Sequence, residues 1–120
     1  MAGTPLILLA HGSKDPNWCK SFEKLIVGAG RDLHLHLAYM DFIQPSLLKV
    51  TEELVNKGIE NIKILPLFMS GGGHVDKDIP KQVKELKVKF PNINFEILPP
   101  IGEHPEVITS MKEIIKEYAK

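Results

Sequence analysis

An open α/β fold, a parallel sheet covered by helices on both faces, is the class this sequence predicts, and three observations carry it. Apolar runs of strand length alternate four times with stretches whose apolar residues recur at three- and four-residue steps. No low-complexity segment, charge block or linker interrupts the alternation, so one domain over residues 1–120 is expected. With 43% hydrophobic residues, a chain of 120 can bury most of a single core.

The first strand is read at Leu6 to Ala10. Asp15-Pro16 then supplies a helix start, and Trp18, Phe22, Leu25, Ile26 and Ala29 share one helical face. A second strand near Leu33 to Met40 alternates Leu33, Leu35 and Leu37 with His34 and His36, the pattern of an edge strand whose histidines face solvent. Pro45-Ser46 opens the next helix, with Leu47, Leu48, Thr51, Leu54 and Val55 as its stripe and Gly58 as its stop. Strand three, Ile62 to Leu67, is apolar apart from Lys63 and so reads as buried on both faces, and it runs into Gly71-Gly72-Gly73. Ile79, Val83, Leu86 and Phe90 mark a third helix. Asn94 to Leu98 alternates as the other edge, and Val107, Ile108, Met111, Ile114, Ile115 and Tyr118 stripe a last helix.

Two central and two edge strands fit the flavodoxin-like order 2-1-3-4, a three-layer sandwich reached by right-handed crossovers. Strands one and three are then neighbours, and ligands of such sheets bind beyond the strand C-termini where the winding reverses. His11 and His74 flank that point. Asp41, Glu103 and His104 lie on the same rim.

Neutral imidazoles bind borderline divalent metals and act as bases near neutral pH, so two of them facing one cleft can serve either purpose. A lone histidine at a strand end is commonly a loop hydrogen-bonder; the pair beside three glycines balances that reading against ligand duty. The glycines permit close backbone approach to a large ligand and offer amides to carboxylates or phosphates. Their spacing matches neither the dinucleotide fingerprint nor the P-loop, and the G-x-S-x-G serine motif is absent. His34 and His36 as a chelating pair, Asp41 as a turn cap, and Glu103-His104-Pro105 as a helix entry are further readings of the same residues.

Fifteen basic and fifteen acidic residues cancel, which removes the electrostatic footprint of nucleic-acid binding. The run Leu6 to Ala10 is too short for a membrane span and has no basic leader, so a cytoplasmic protein is expected. A single cysteine, Cys19, excludes an intrachain disulfide and a cysteine zinc cluster, and its place in an apolar helical pattern suits packing.

Four blocks carry a resemblance. Leu8 to Pro16 reads LLAHGSKDP, Tyr39 to Ser46 reads YMDFIQPS, Leu65 to Pro80 reads LPLFMSGGGHVDKDIP, and Pro99 to Pro105 reads PPIGEHP. In order and spacing they resemble the short-form class II chelatases, the small CbiX-like sirohydrochlorin cobaltochelatases, a group that includes the archaeal sirohydrochlorin nickel chelatases. The similarity runs essentially end to end, and Gly-Gly-His-Val-x-x-Asp-Ile-Pro is its most specific block.

The resemblance implies a chelatase-like fold and insertion of a divalent metal, cobalt first and nickel next, into sirohydrochlorin, an eight-carboxylate tetrapyrrole. No ATP, redox group or other cofactor beyond the metal substrate is implied. His11 and His74 match the metal-binding histidines, the first also the proton acceptor, and Asp41 stands at a third ligand position where the family often has glutamate. Gln44, Met69, Ser70, Gly71, Gly72, Gly73 and His74 match positions that contact the macrocycle, although some members carry glutamate at the Gln44 position. Short-form members look like half of longer two-domain chelatases, which implies a homodimer. The rival readings are a non-catalytic metal or tetrapyrrole carrier and a ferrochelatase for sirohaem. A receiver-like signalling domain would need acidic residues after the first strand, and a histidine phosphatase an arginine where Ala10 stands.

Overall fold

A computed structural model describes residues 4–15, 17, 20–21, 23–24, 34–41, 43–72 and 74–120, with the side chains of His74 and Val75 outside the description. Strands β1 (Leu6–Ala10), β2 (Leu35–Tyr39), β3 (Asn61–Pro66) and β4 (Asn94–Ile97) make one all-parallel sheet in the order β2-β1-β3-β4. This is the predicted order. The described helices are α1 (Leu47–Asn56), α2 (His74–Lys89) and α3 (Pro105–Tyr118), the last preceded by a 3-10 turn, Ile101–Glu103.

Residue parity across the paired strands decides what is buried where. Ile7 lies opposite both His36 and Ile64, so Ile7, Leu9, Ala38, Ile62 and Ile64 share one face. There they form the main core with Leu47, Val50 and Leu54 of α1 and Ile79, Val83 and Leu86 of α2. On the other face Ala10 and Tyr39 are buried among Leu37, Ile43 and Leu67. The helix expected after β1 falls largely outside the described residues, as do Trp18, Cys19, Phe22, Leu25, Ile26 and Ala29; Asn17, Lys20, Ser21, Glu23 and Lys24 are helical in backbone.

Helix α1 begins and ends where its sequence dictates. Ser46 Oγ accepts the Lys49 N–H at 3.1 Å, and Gly58, at φ +86, takes the left-handed conformation that closes the C-terminus. Its buried residues, Leu47, Val50, Thr51 and Leu54, sit at helical spacing, and the Thr51 hydroxyl donates to the Leu47 carbonyl at 2.8 Å, so no orphan is buried. Leu48 falls off that stripe and is exposed.

Three further expectations change. Strand β3 is not buried on both faces: Ile62 and Ile64 are buried, whereas Lys63 on the opposite face is exposed and Leu65 half-buried. His34 and His36 do not form a solvent-facing edge: parity puts His36 on the Ile7 side of the sheet, and both rings are half-buried, with centroids 4.8 Å apart. Burial, the neighbouring His34 and Lys57 hold the His36 imidazole below its ordinary value of 6.5, and Glu53 opposes them. The stripe of the last helix forms but is not covered. No residue of α3 is fully buried, and Ile114, Ile115 and Tyr118 are 52, 64 and 84% exposed.

Candidate functional site

The rim beyond β1 is built by backbone pairing that continues past the strand ends. Met40 N–H donates to the Ala10 carbonyl at 2.9 Å and Asp41 N–H to the His11 carbonyl at 3.0 Å, which sets His11 and Asp41 side by side. Gly12 makes this possible. Its φ is +101, and a Cβ there would collide with the Asp41 carbonyl, so no other residue fits the approach without moving the rim. On the other side, Leu67 N–H donates to the Leu9 carbonyl at 2.8 Å, tying the start of the glycine-rich loop to β1.

His11 is exposed, and its Nδ1 lies 3.2 Å from the Gly12 carbonyl oxygen. A carbonyl only accepts, so this bond puts the proton on Nδ1 and the lone pair on Nε2, the atom then able to ligate a metal or take a proton. A cleft of about 330 Å³ opens here, lined by His11, Asp41, Asp78, Lys81, Gln82 and Glu85 among others. Three carboxylates against one lysine favour a divalent cation over an anion at this end. Among the described residues, no three His, Cys, Asp or Glu side chains converge as a ready metal cluster.

The structure brings together some of the residues named from sequence and separates others. His11 and Asp41 share the cleft. His74 opens α2 one turn before Asp78, but its side chain, like the whole of Gly73, lies outside the described residues. Met69 is 64% exposed, Ser70 and Gly72 are exposed, and Gly71 is half-buried. Gln44 turns back on its own chain, its Oε1 accepting the Ser46 N–H at 3.0 Å. Glu103 and His104 line a different, mainly apolar cavity of about 500 Å³ with Leu65, Pro100 and Val107. His104 Nδ1 accepts the Glu106 N–H at 3.1 Å and caps α3, so the reading of Glu103-His104-Pro105 as a helix entry holds for His104.

Sequence reasoning missed Asp78, Lys81, Gln82 and Glu85. Their spacing of three, one and three places them on one face of α2 beside the apolar stripe of Ile79, Val83 and Leu86, and that spacing was the available signal.

Comparison with known proteins agrees with this architecture. The CbiX family model matches residues 5–118. The sirohydrochlorin cobaltochelatase of Sulfurisphaera tokodaii is 27% identical over 117 residues, covering 93% of this chain and 91% of that one. The sirohydrochlorin cobaltochelatase of Priestia megaterium is 25% identical, and the match spans 93% of this chain but 37% of that longer protein. Among solved structures, a CbiX protein from Marinobacter aquaeolei VT8 superposes with a TM-score of 0.85 at 31% identity, over 98% of this chain and 95% of that one. The cobalt complex of the sirohydrochlorin chelatase SirB from Bacillus subtilis subspecies spizizenii shares the fold, with a TM-score of 0.77 at 20% identity, over 98% of this chain and 51% of that one. A family match over nearly the whole chain, on the sheet order and rim described above, means that this protein belongs to the CbiX family.

Proposed function

We propose that this protein inserts a divalent metal, cobalt first and nickel next, into sirohydrochlorin, without ATP, a redox group or any cofactor beyond the metal substrate. The observation that carries the reading is His11 at the end of β1, its Nε2 lone pair set by the Nδ1 contact to Gly12, in a cleft it shares with Asp41. The names of the relatives support the substrate.

Metalation exchanges two pyrrole N–H protons for one divalent ion. His11 and His74 hold the metal on one face of the ring, with Asp41 as a third ligand. As the ring nitrogens displace them, the two pyrrole protons leave: His11 Nε2, vacated by the metal, takes up one and passes it to water, and the other goes to water directly. Imidazole ligands suit this transfer because they bind borderline metals and exchange, whereas an all-thiolate site would retain the ion. The exposed loop of Met69, Ser70, Gly71, Gly72 and Gly73, together with Gln44, meets the macrocycle and its carboxylates, and the carboxylate-lined cleft receives the metal.

The protein works as a homodimer in the cytoplasm. Support for the dimer comes from the uncovered apolar face of α3, where Ile108, Ile114, Ile115 and Tyr118 stand in solvent. The second occupant is another copy of this fold: the SirB chain carries about as much polypeptide again as the half this chain matches. No described helix is long and apolar enough to cross a membrane.

Anaerobic metalation of sirohydrochlorin with cobalt, nickel and ferrous iron in parallel tests the proposal. Many equivalents of product per protein are expected with cobalt, and His11→Ala and His74→Ala should each lower turnover by at least ~10²-fold while keeping the far-ultraviolet circular dichroism. Uptake that stops at one equivalent would instead identify a carrier, and turnover with iron alone a ferrochelatase.

A further inference from the structure

Glu103 makes a contact that its place before α3 does not require. Its Oε2 accepts the Gly71 N–H at 2.9 Å, across 32 residues of sequence. The same turn touches the loop twice more. Gly102 N–H donates to the Phe68 carbonyl at 2.9 Å, and Gly102 lies so close to the Met69 backbone that a Cβ there would have no room. Residues 68, 69 and 71 are therefore held from one side by a turn rooted between β4 and α3. Without such contacts a loop with three consecutive glycines has the largest conformational entropy to lose when it orders around a ligand.

Gly71 sits between two carboxylates: a Cβ built on it would come within 2.9 Å of Asp76 Oδ1 and 3.3 Å of Glu103 Oε2. Of these two carboxylates, Glu103 is the one that reaches the loop from another element, since Asp76 belongs to the helix that the loop itself enters. A charged acceptor on a backbone N–H is also the stronger kind of hydrogen bond.

We propose that Glu103 is a positioning residue for metalation: by holding the Gly71 N–H it fixes the loop that meets the macrocycle and leads into His74. This rests on the chelatase reading above. A loop fixed in advance binds the ring without a further ordering cost, so the effect appears in substrate binding more than in the chemical step.

The test uses the full chain and its Glu103→Ala and Glu103→Gln variants. Glu103→Ala should raise KM for sirohydrochlorin about tenfold with a smaller change in kcat, the size expected for loss of one hydrogen bond to a charged group. Glu103→Gln keeps an acceptor oxygen at the same reach and should return KM to within about threefold of the parent, a partial rescue because the neutral bond is weaker. Hydrogen exchange of the Gly71 amide, read by NMR without substrate, should accelerate in Glu103→Ala and slow again in Glu103→Gln. An unchanged KM in Glu103→Ala, an unchanged Gly71 exchange rate, or equal impairment in both variants overturns the proposal. So does a lowered KM, the outcome expected if Glu103 merely occupied an amide that a substrate carboxylate takes. Absence of turnover in the parent protein overturns the chelatase reading itself, whereas parental turnover with an unaffected Glu103→Ala overturns only the positioning role.

Discussion

Gly12 and His36 show how single residues are set by neighbours distant in sequence. Gly12 is required because Asp41, just past the end of β2, brings its carbonyl to where a side chain would stand. The His36 imidazole is held below its ordinary value by burial and by the His34 and Lys57 charges beside it, against the pull of Glu53. The folded value lies below 6.5, so in the window from 6.5 down to that value the unfolded chain binds more protons than the folded one, and stability falls as pH falls. Above that window the contribution is fully present. Urea unfolding of the parent protein should therefore show a midpoint that declines as pH falls below 6.5, and His36→Gln should flatten the decline. An identical slope in the variant would assign the acid sensitivity to other groups. The alternation of Leu33, Leu35 and Leu37 with His34 and His36 located this strand but not its orientation, because period two fixes which residues share a face and not which face is buried.

Among the elements, α1 is the one whose limits were most fully legible. Pro45-Ser46 gave its start and Gly58 its end, since capping and left-handed closure depend on residues within one turn. Ser46→Ala leaves the Lys49 N–H without its side-chain acceptor and should cost about 1 kcal/mol in urea unfolding, with the denaturant slope unchanged. Helix α2 is longer than its apolar repeat suggested. It starts at His74, five residues before the first buried stripe residue, Ile79, and the added turns carry Asp78 onto the His11 cleft. Apolar periodicity marks only the part of a helix that faces a core, so helical turns lining a polar cleft leave no apolar signal.

At the scale of the whole molecule the outline is extended. The radius of gyration is 15.4 Å, above the roughly 13.6 Å of a compact domain of this length, and the longest dimension is 53 Å. An extended outline and an amphipathic helix with no fully buried residue fit a chain completed by a second copy. Ile115→Asp puts a charge in the middle of that face, where the side chain is 64% exposed in the single chain. It should convert a dimer to a monomer by multi-angle light scattering while the isolated fold survives. A parent protein that is monomeric at micromolar concentration would remove the basis for the dimer.

Sequence by itself determined the four strands, their order 2-1-3-4, the helices that follow β2, β3 and β4, and the placing of His11 and Asp41 on one rim. Those follow from local periodicity, turn chemistry and the handedness of crossovers, which act within one strand-helix unit. Tertiary structure decided three other matters. It turned His36 toward α1, it brought Asp78 and Glu85 to His11, and it carried Glu103 back to Gly71. Each of these depends on how separate elements pack, and no periodicity within one element records its partner.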